Sequence, residues 1–301
     1  MKLLPVIFFC ATVSVSVQAQ KPVVFTSIAP QLWLTKQIAG DAADIHVLLP
    51  AGANPHTFEP TAKQIKKLTS ASLVLTLGLE FERSLVGRAQ KLSPALTVIP
   101  VDAGIEKIGA TPHHHHHAEA SCGCAQNGDP HIWLSPRLYA AMASNTAVAL
   151  TQLLPDDGDA IAARRDVVVT EIQKIDAEVR RTLEQSSVKT CVVYHPSWAY
   201  FAKDYGLALL TIEQDGKTPV AKHLMTVIAQ AKAVNVKVII TEPQYNQRPA
   251  QTVAKQIGAR VETINSLQED WPALMRETAG AFRVFISHEG TKDMKGFFRQ
   301  D

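Results

Sequence analysis

Disulfide chemistry is nearly absent from this chain. It has 301 residues and four cysteines, and one of these, Cys10, lies in the apolar N-terminal stretch. Removing that stretch leaves Cys122, Cys124 and Cys191, an odd number that cannot pair completely within one chain. A disulfide scaffold is therefore excluded. An excess of charge of one sign is also missing. The formal net charge is +2 and no basic run occurs, which argues against a nucleic-acid surface. No apolar run beyond the N-terminus is long enough to cross a bilayer. No His-Glu-x-x-His helix and no Gly-x-Ser-x-Gly elbow occurs, so two common hydrolase signatures are lacking.

What is present is a globular composition, 46% hydrophobic and 19% charged, in a chain long enough for two ordinary domains. The N-terminus reads as a secretory signal over 1–19. Lys2 supplies the positive start, Leu3 to Val17 the apolar stretch, and Val17-Gln18-Ala19 the small-residue exit. Cleavage is expected after Ala19. Phe9 is too bulky for Cys10 to serve as a lipid-attachment site. The mature chain is thus expected to be exported and soluble.

Strand and helix patterns then alternate. Strands are expected over 22–28, 45–49, 73–77 and 96–100, with helices over 31–39, 61–70 and 80–92. A second set begins at Val188, with strands over 188–194, 207–212, 236–241 and 260–264. Its helices cover 197–205, 219–233 and 248–257, and a last helix covers 271–284. Alternation of this kind predicts parallel pairing and an α/β fold. Between the sets, a helix over 136–154 precedes a long one over 156–185. In the long helix Ile161, Val168, Ile172, Ile175, Val179 and Leu183 fall on one face. Thirty such residues span roughly 45 Å, enough for a rigid strut. The expected architecture is α/β, with two lobes, each a mostly parallel sheet flanked by helices, joined by one long rigid helix. The lobes are placed at 20–154 and 187–301 and the linking helix at 155–186, with a His-rich loop over 112–128.

That loop is the most distinctive stretch. Five histidines, His113, His114, His115, His116 and His117, run consecutively, followed by Cys122 and Cys124. The tract reads as a low-affinity metal-collecting loop. The two cysteines either add soft ligands to it or are incidental. Three further histidines lie where an ordered element meets a loop. His56 follows Asn54-Pro55 beyond a strand, His131 follows Asp129-Pro130 before a helix, and His195 follows a strand directly and precedes Pro196. The C-terminal edge of an α/β sheet is where ligands bind, and a neighbouring proline stiffens each position. Each signal is weak alone. Together, with the tract and the export signal, they point to one metal site. Imidazoles bind metal only when deprotonated, so binding is expected to fail below roughly pH 6. His46 is expected to be structural, His223 and His288 exposed, and Cys191 buried in the core.

Four segments carry a family resemblance: Pro50-Ala51-Gly52-Ala53-Asn54-Pro55-His56-Thr57-Phe58-Glu59-Pro60, Asp129-Pro130-His131-Ile132-Trp133-Leu134-Ser135-Pro136, Tyr194-His195-Pro196-Ser197-Trp198-Ala199-Tyr200-Phe201 and Thr241-Glu242-Pro243-Gln244. With them the chain resembles the periplasmic zinc-binding proteins of ABC importers, of the ZnuA type, over nearly all of its mature length. The resemblance implies metal ligands at His56, His131 and His195. It implies Zn2+ as cargo, an ABC permease in the inner membrane as partner, a periplasmic location and a monomer. Manganese relatives carry a glutamate at the His195 position, and three neutral imidazoles favour zinc. The family often supplies a fourth, aspartate ligand where this chain has Asn265, so Asn265, a water, or a carboxylate such as Glu59 takes that position. Two other readings of the residues remain open here: a secreted zinc-dependent hydrolase, and an extracellular metal buffer or adhesin without a transporter.

Overall fold

The computed structural model describes residues 20–109, 128–213 and 219–283. The histidine tract, Cys122, Cys124, His288 and the N-terminal signal lie outside the described residues. In the first half, strands β1 (Val23–Thr26), β2 (Asp44–Val47), β3 (Leu73–Thr76) and β4 (Thr97–Pro100) form one parallel sheet in the order β2-β1-β3-β4. In the second half, β5 (Thr190–Val193), β6 (Ala208–Thr211), β7 (Val238–Thr241) and β8 (Arg260–Thr263) form another, in the order β6-β5-β7-β8. The second sheet repeats the topology of the first. Inner strands such as β3 (LVLT) and β7 (VIIT) are buried along their whole length. Edge strands such as β4 (TVIP) and β8 (RVET) are only partly covered. That contrast is what parallel sheets with helices on both faces require.

Helices α1 (Ala29–Ala39), α2 (Ala62–Leu68) and α3 (Glu80–Leu92) connect the first strands. Thr61 and Gln64 form a reciprocal capping box at the start of α2. Helix α4 (Pro136–Leu153) starts on Ser135, whose hydroxyl accepts from Leu138 N, with Pro136 in its first turn. Helix α5 (Gly158–Glu184) has 27 residues, three fewer than the 156–185 expected, because Asp156 and Asp157 belong to a tight 3-10 turn ahead of it and Gln185 caps its end. Its buried side chains are Ile161, Val168, Ile172, Ile175, Val179 and Leu183, the six expected from periodicity. In the second half come α6 (Ala199–Tyr205), α7 (Ala221–Ala233), α8 (Arg248–Ile257) and α9 (Trp271–Gly280). Helix α9 stops at Gly280, short of the expected Val284. Gly258, at φ +66°, closes α8 in the left-handed conformation that glycine adopts without a Cβ penalty.

Helix α5 packs against α4, α1 and α9, so it lies within the body of the protein. One apolar core runs from the first sheet through α4 and α5 to Val193, Ile240, Trp271 and Phe282 of the second half. A smaller cluster, with Val192, Ile239, Val227 and Val253, covers the other face of the second sheet. Adjacent residues of β5 and β7 thus serve opposite faces, as strand alternation demands. A core shared by both halves limits how far they can swing apart. Trp133 Nε1 donates to the Ser266 carbonyl at 2.8 Å, and Trp271 Nε1 donates to the Trp133 carbonyl at 2.7 Å. Cys191 is fully buried, as expected. His223 departs from expectation. It is half-buried, with Nε2 3.1 Å from the Thr211 carbonyl, because the start of α7 leans on the end of β6.

Candidate metal centre

In each sheet the chain crosses one way from the first strand to its edge neighbour and the other way to the third strand. Such switch points leave a crevice beyond the C-terminal strand ends. The loop after β2 carries His56, the residue pair after β5 carries His195, and the turn entering α4 carries His131. Small local devices set each backbone. His56 N donates to Asn54 Oδ1 at 2.9 Å, and His131 N donates to Asp129 Oδ1 at 2.9 Å. Pro55, Pro130 and Pro196 hold φ beside each histidine.

The structure brings the three imidazoles together. Their ligand atoms all lie within 4.8 Å of one another, and no other His, Cys, Asp or Glu cluster of this kind occurs among the described residues. His56 Nε2 and His195 Nε2 stand 3.2 Å apart. With Zn–N bonds of about 2.0–2.1 Å, two tetrahedral ligand atoms sit about 3.3 Å apart, so this pair is already at coordination spacing. His131 and His195 are 3% and 1% exposed.

Two carboxylates sit behind the rings. Asp129 Oδ1 lies 2.6 Å from His131 Nδ1, and Glu213 Oε2 lies 2.6 Å from His195 Nδ1. With the Nδ1 protons committed to these acceptors, each Nε2 turns its lone pair inward, the tautomer a metal needs. Burial, reinforced by the two neighbouring imidazoles, pushes His56 down to about 3, so it is a neutral ligand across the physiological range. Burial opposes charge on His131, but the Asp129 carboxylate, joined by Glu242 and Glu213, turns the net direction upward. The sequence reading paired no carboxylate with the histidines. The Asp-x-His spacing of Asp129 and His131 is the one local signal that could have done so; Glu213, eighteen residues beyond His195, is placed only by the pairing of β5 with β6.

The candidates for a fourth position sit differently. Asn265 follows β8 at the same edge of the second sheet, with its Oδ1 accepting from Leu267 N at 3.1 Å. Glu59 stays outside the cluster and lines an open groove of about 320 Å³ beside His56, with Phe58, Glu80 and Arg88.

Two α/β lobes meeting over inward-facing imidazoles, with their carboxylates turned to the back of the rings, define a solute-binding protein for a small cation. The family described as "Zinc-uptake complex component A periplasmic", ZnuA, matches residues 24–283. The high-affinity zinc uptake system protein ZnuA of Bacillus subtilis is 30% identical over 250 residues, covering 81% of this chain and 78% of that one. The zinc-binding protein AdcA of Streptococcus pyogenes is 27% identical over 87% of this chain, which spans 55% of AdcA. A crystal structure of ZnuA superposes with a TM-score of 0.79 at 31% identity, covering 88% of this chain and 100% of that one. The chain belongs to the ZnuA family, a transport component and not an enzyme family.

Proposed function

We propose that this chain captures Zn2+ in the periplasm and delivers it to an ABC permease of the inner membrane, acting as a monomer after cleavage near Ala19. The observation that carries this reading is the convergence of His56, His131 and His195 with their ligand atoms within 4.8 Å. The names of the relatives, zinc uptake protein and zinc-binding protein, support zinc as the cargo. So does the donor set, since imidazole suits zinc whereas manganese favours oxygen. His56 and His131 come from the first lobe and His195 from the second, so the cation bridges the two. Metal analysis of protein purified without added metal tests this. About one zinc per chain is expected from a closed site of this kind. A metal-free protein, or one that prefers manganese over zinc in competition, refutes it.

His113 to His117, with Cys122 and Cys124, form in this reading an auxiliary loop that gathers zinc at low affinity and passes it inward. Removing 113–117 leaves the tight site intact and slows loading at scarce zinc; loss of the tight site on that deletion counts against the role.

Asn265 takes the fourth position through its amide oxygen or through a water. Asn265→Asp keeps an acceptor for Leu267 N and adds a negative charge. We expect tighter zinc binding, by about 10-fold, the lower end of effects seen for groups around a metal. Chelator competition at fixed pH measures it, and equal or weaker affinity places Asn265 away from the cation.

A further inference from the structure

Glu242 directly follows β7, is 1% exposed and stands apart from the imidazole cluster. Among the described residues no Lys, Arg or His forms an ion pair with it. Its side-chain partners are all neutral. Ser197 Oγ donates to Oε1 at 2.7 Å, Gln244 Nε2 donates to Oε2 at 2.6 Å, and Ser266 Oγ donates to Oε2 at 2.5 Å. A carboxylate taken out of water with no counter-charge is unfavourable, and it persists where a structure or a ligand offsets it. Three donors converge on its two oxygens, so the pocket is built for an acceptor-only group.

The donors show where the offset lies. Ser197 is two residues past His195, and Ser266 is next to Asn265. The Ser266 carbonyl accepts from Trp133 Nε1 at 2.8 Å, and Trp133 is two residues past His131. A path of hydrogen bonds thus runs from the loop of His195, through Glu242, to the turn of His131. The carboxylate also lies near enough for its charge to act on the His131 ring. The cleft meanwhile offers three imidazoles and, at Asn265, an amide that brings no charge.

We propose that Glu242 is a positioning residue that also supplies, from outside the coordination shell, the negative charge a carboxylate ligand would bring, so that neutral ligands hold a divalent cation in preference to a monovalent one. This rests on the zinc-capture reading. It is tested with Glu242→Gln, which keeps the shape and one oxygen acceptor but removes the charge. Affinities for Zn2+ and for Ag+, a monovalent ion that also takes imidazole nitrogen, are measured by competition on the full mature chain, with melting of the metal-free protein alongside. Zinc affinity should fall about 10–100-fold, the usual range for groups behind metal ligands. Coulomb energy scales with ion charge, so Ag+ should lose only about the square root of that factor. The metal-free variant should melt within a few degrees of wild type, because the Ser197 and Ser266 hydroxyls and the Gln244 amide can turn to meet the new NH2 group.

Equal losses for the two ions, or melting that drops in step with affinity, mark Glu242 as scaffold and overturn the charge role. Unchanged zinc affinity overturns the inference entirely. Wild-type protein serves as the control: if it binds zinc no more tightly than His195→Ala, the metal-capture reading itself fails and this inference falls with it. If wild type binds tightly and Glu242→Gln matches it, only the inference fails.

Discussion

His195→Ala lowers zinc affinity by more than about 100-fold, since even groups behind metal ligands cost about 10–100-fold when removed. His195 is the sole member of the triad from the second lobe, and it sits between the other two. Its Nε2 is 3.2 Å from that of His56, and its ring centroid is 5.2 Å from that of His131. Tyr245 stacks on it at 5.1 Å and Glu213 holds its Nδ1, so the ring has little freedom to lose when a cation arrives. Ordering a free side chain would otherwise subtract from affinity. The substitution also strands Glu213, a buried acceptor whose desolvation then costs about 1–3 kcal/mol, so melting of the metal-free protein should fall modestly. Competition against a chelator of known zinc affinity reads the main effect. A variant that still binds zinc within a few-fold of wild type shows that the three rings do not share a cation.

Trp271→Ala is expected to give the largest loss of stability, about 3–5 kcal/mol. Trp271 is fully buried at the start of α9. Its ring stacks on Tyr139 of α4 at 4.3 Å and lies 6.4 Å from Trp33 of α1. Its Nε1 donates to the Trp133 carbonyl, so one side chain joins α1, α4, α9 and the turn that carries His131. At about 2–4 °C per kcal/mol for a chain of this size, melting should drop by about 10 °C. Zinc affinity should fall as well, because Trp133 fixes the turn two residues past His131, a proposed ligand. Thermal unfolding followed by circular dichroism measures the first effect; a loss under about 1 kcal/mol would mean the site collapses around the missing ring.

Several elements are legible in the sequence because they obey local rules. The apolar spacing of α5 names six side chains, and those six are buried. Ser135-Pro136 and Thr61-x-x-Gln64 announce helix starts, and both caps form. His56, His131 and His195 are readable as candidates because each follows a strand or precedes a helix beside a proline. His223 reads as exposed but is half-buried, since its environment comes from the end of β6 and not from its own helix. The roles of Glu213 and Glu242 are hidden for the same reason: neither carries a spacing that ties it to a histidine.

The chain's order of residues determined by itself the alternation of strands and helices, the α/β class, the buried face of α5 and the three imidazoles worth watching. These depend on periods of two and about 3.6 residues and on turn chemistry, which act over a few neighbours. The tertiary structure alone decided that those imidazoles converge, that Asp129 and Glu213 meet their Nδ1 atoms, and that Glu242 is buried within reach of the His131 ring. The reason is geometric. Residues 56, 131 and 195 meet only once parallel crossovers fix the strand order of two sheets and one shared core fixes the sheets against each other, and neither constraint is written in any short stretch of sequence.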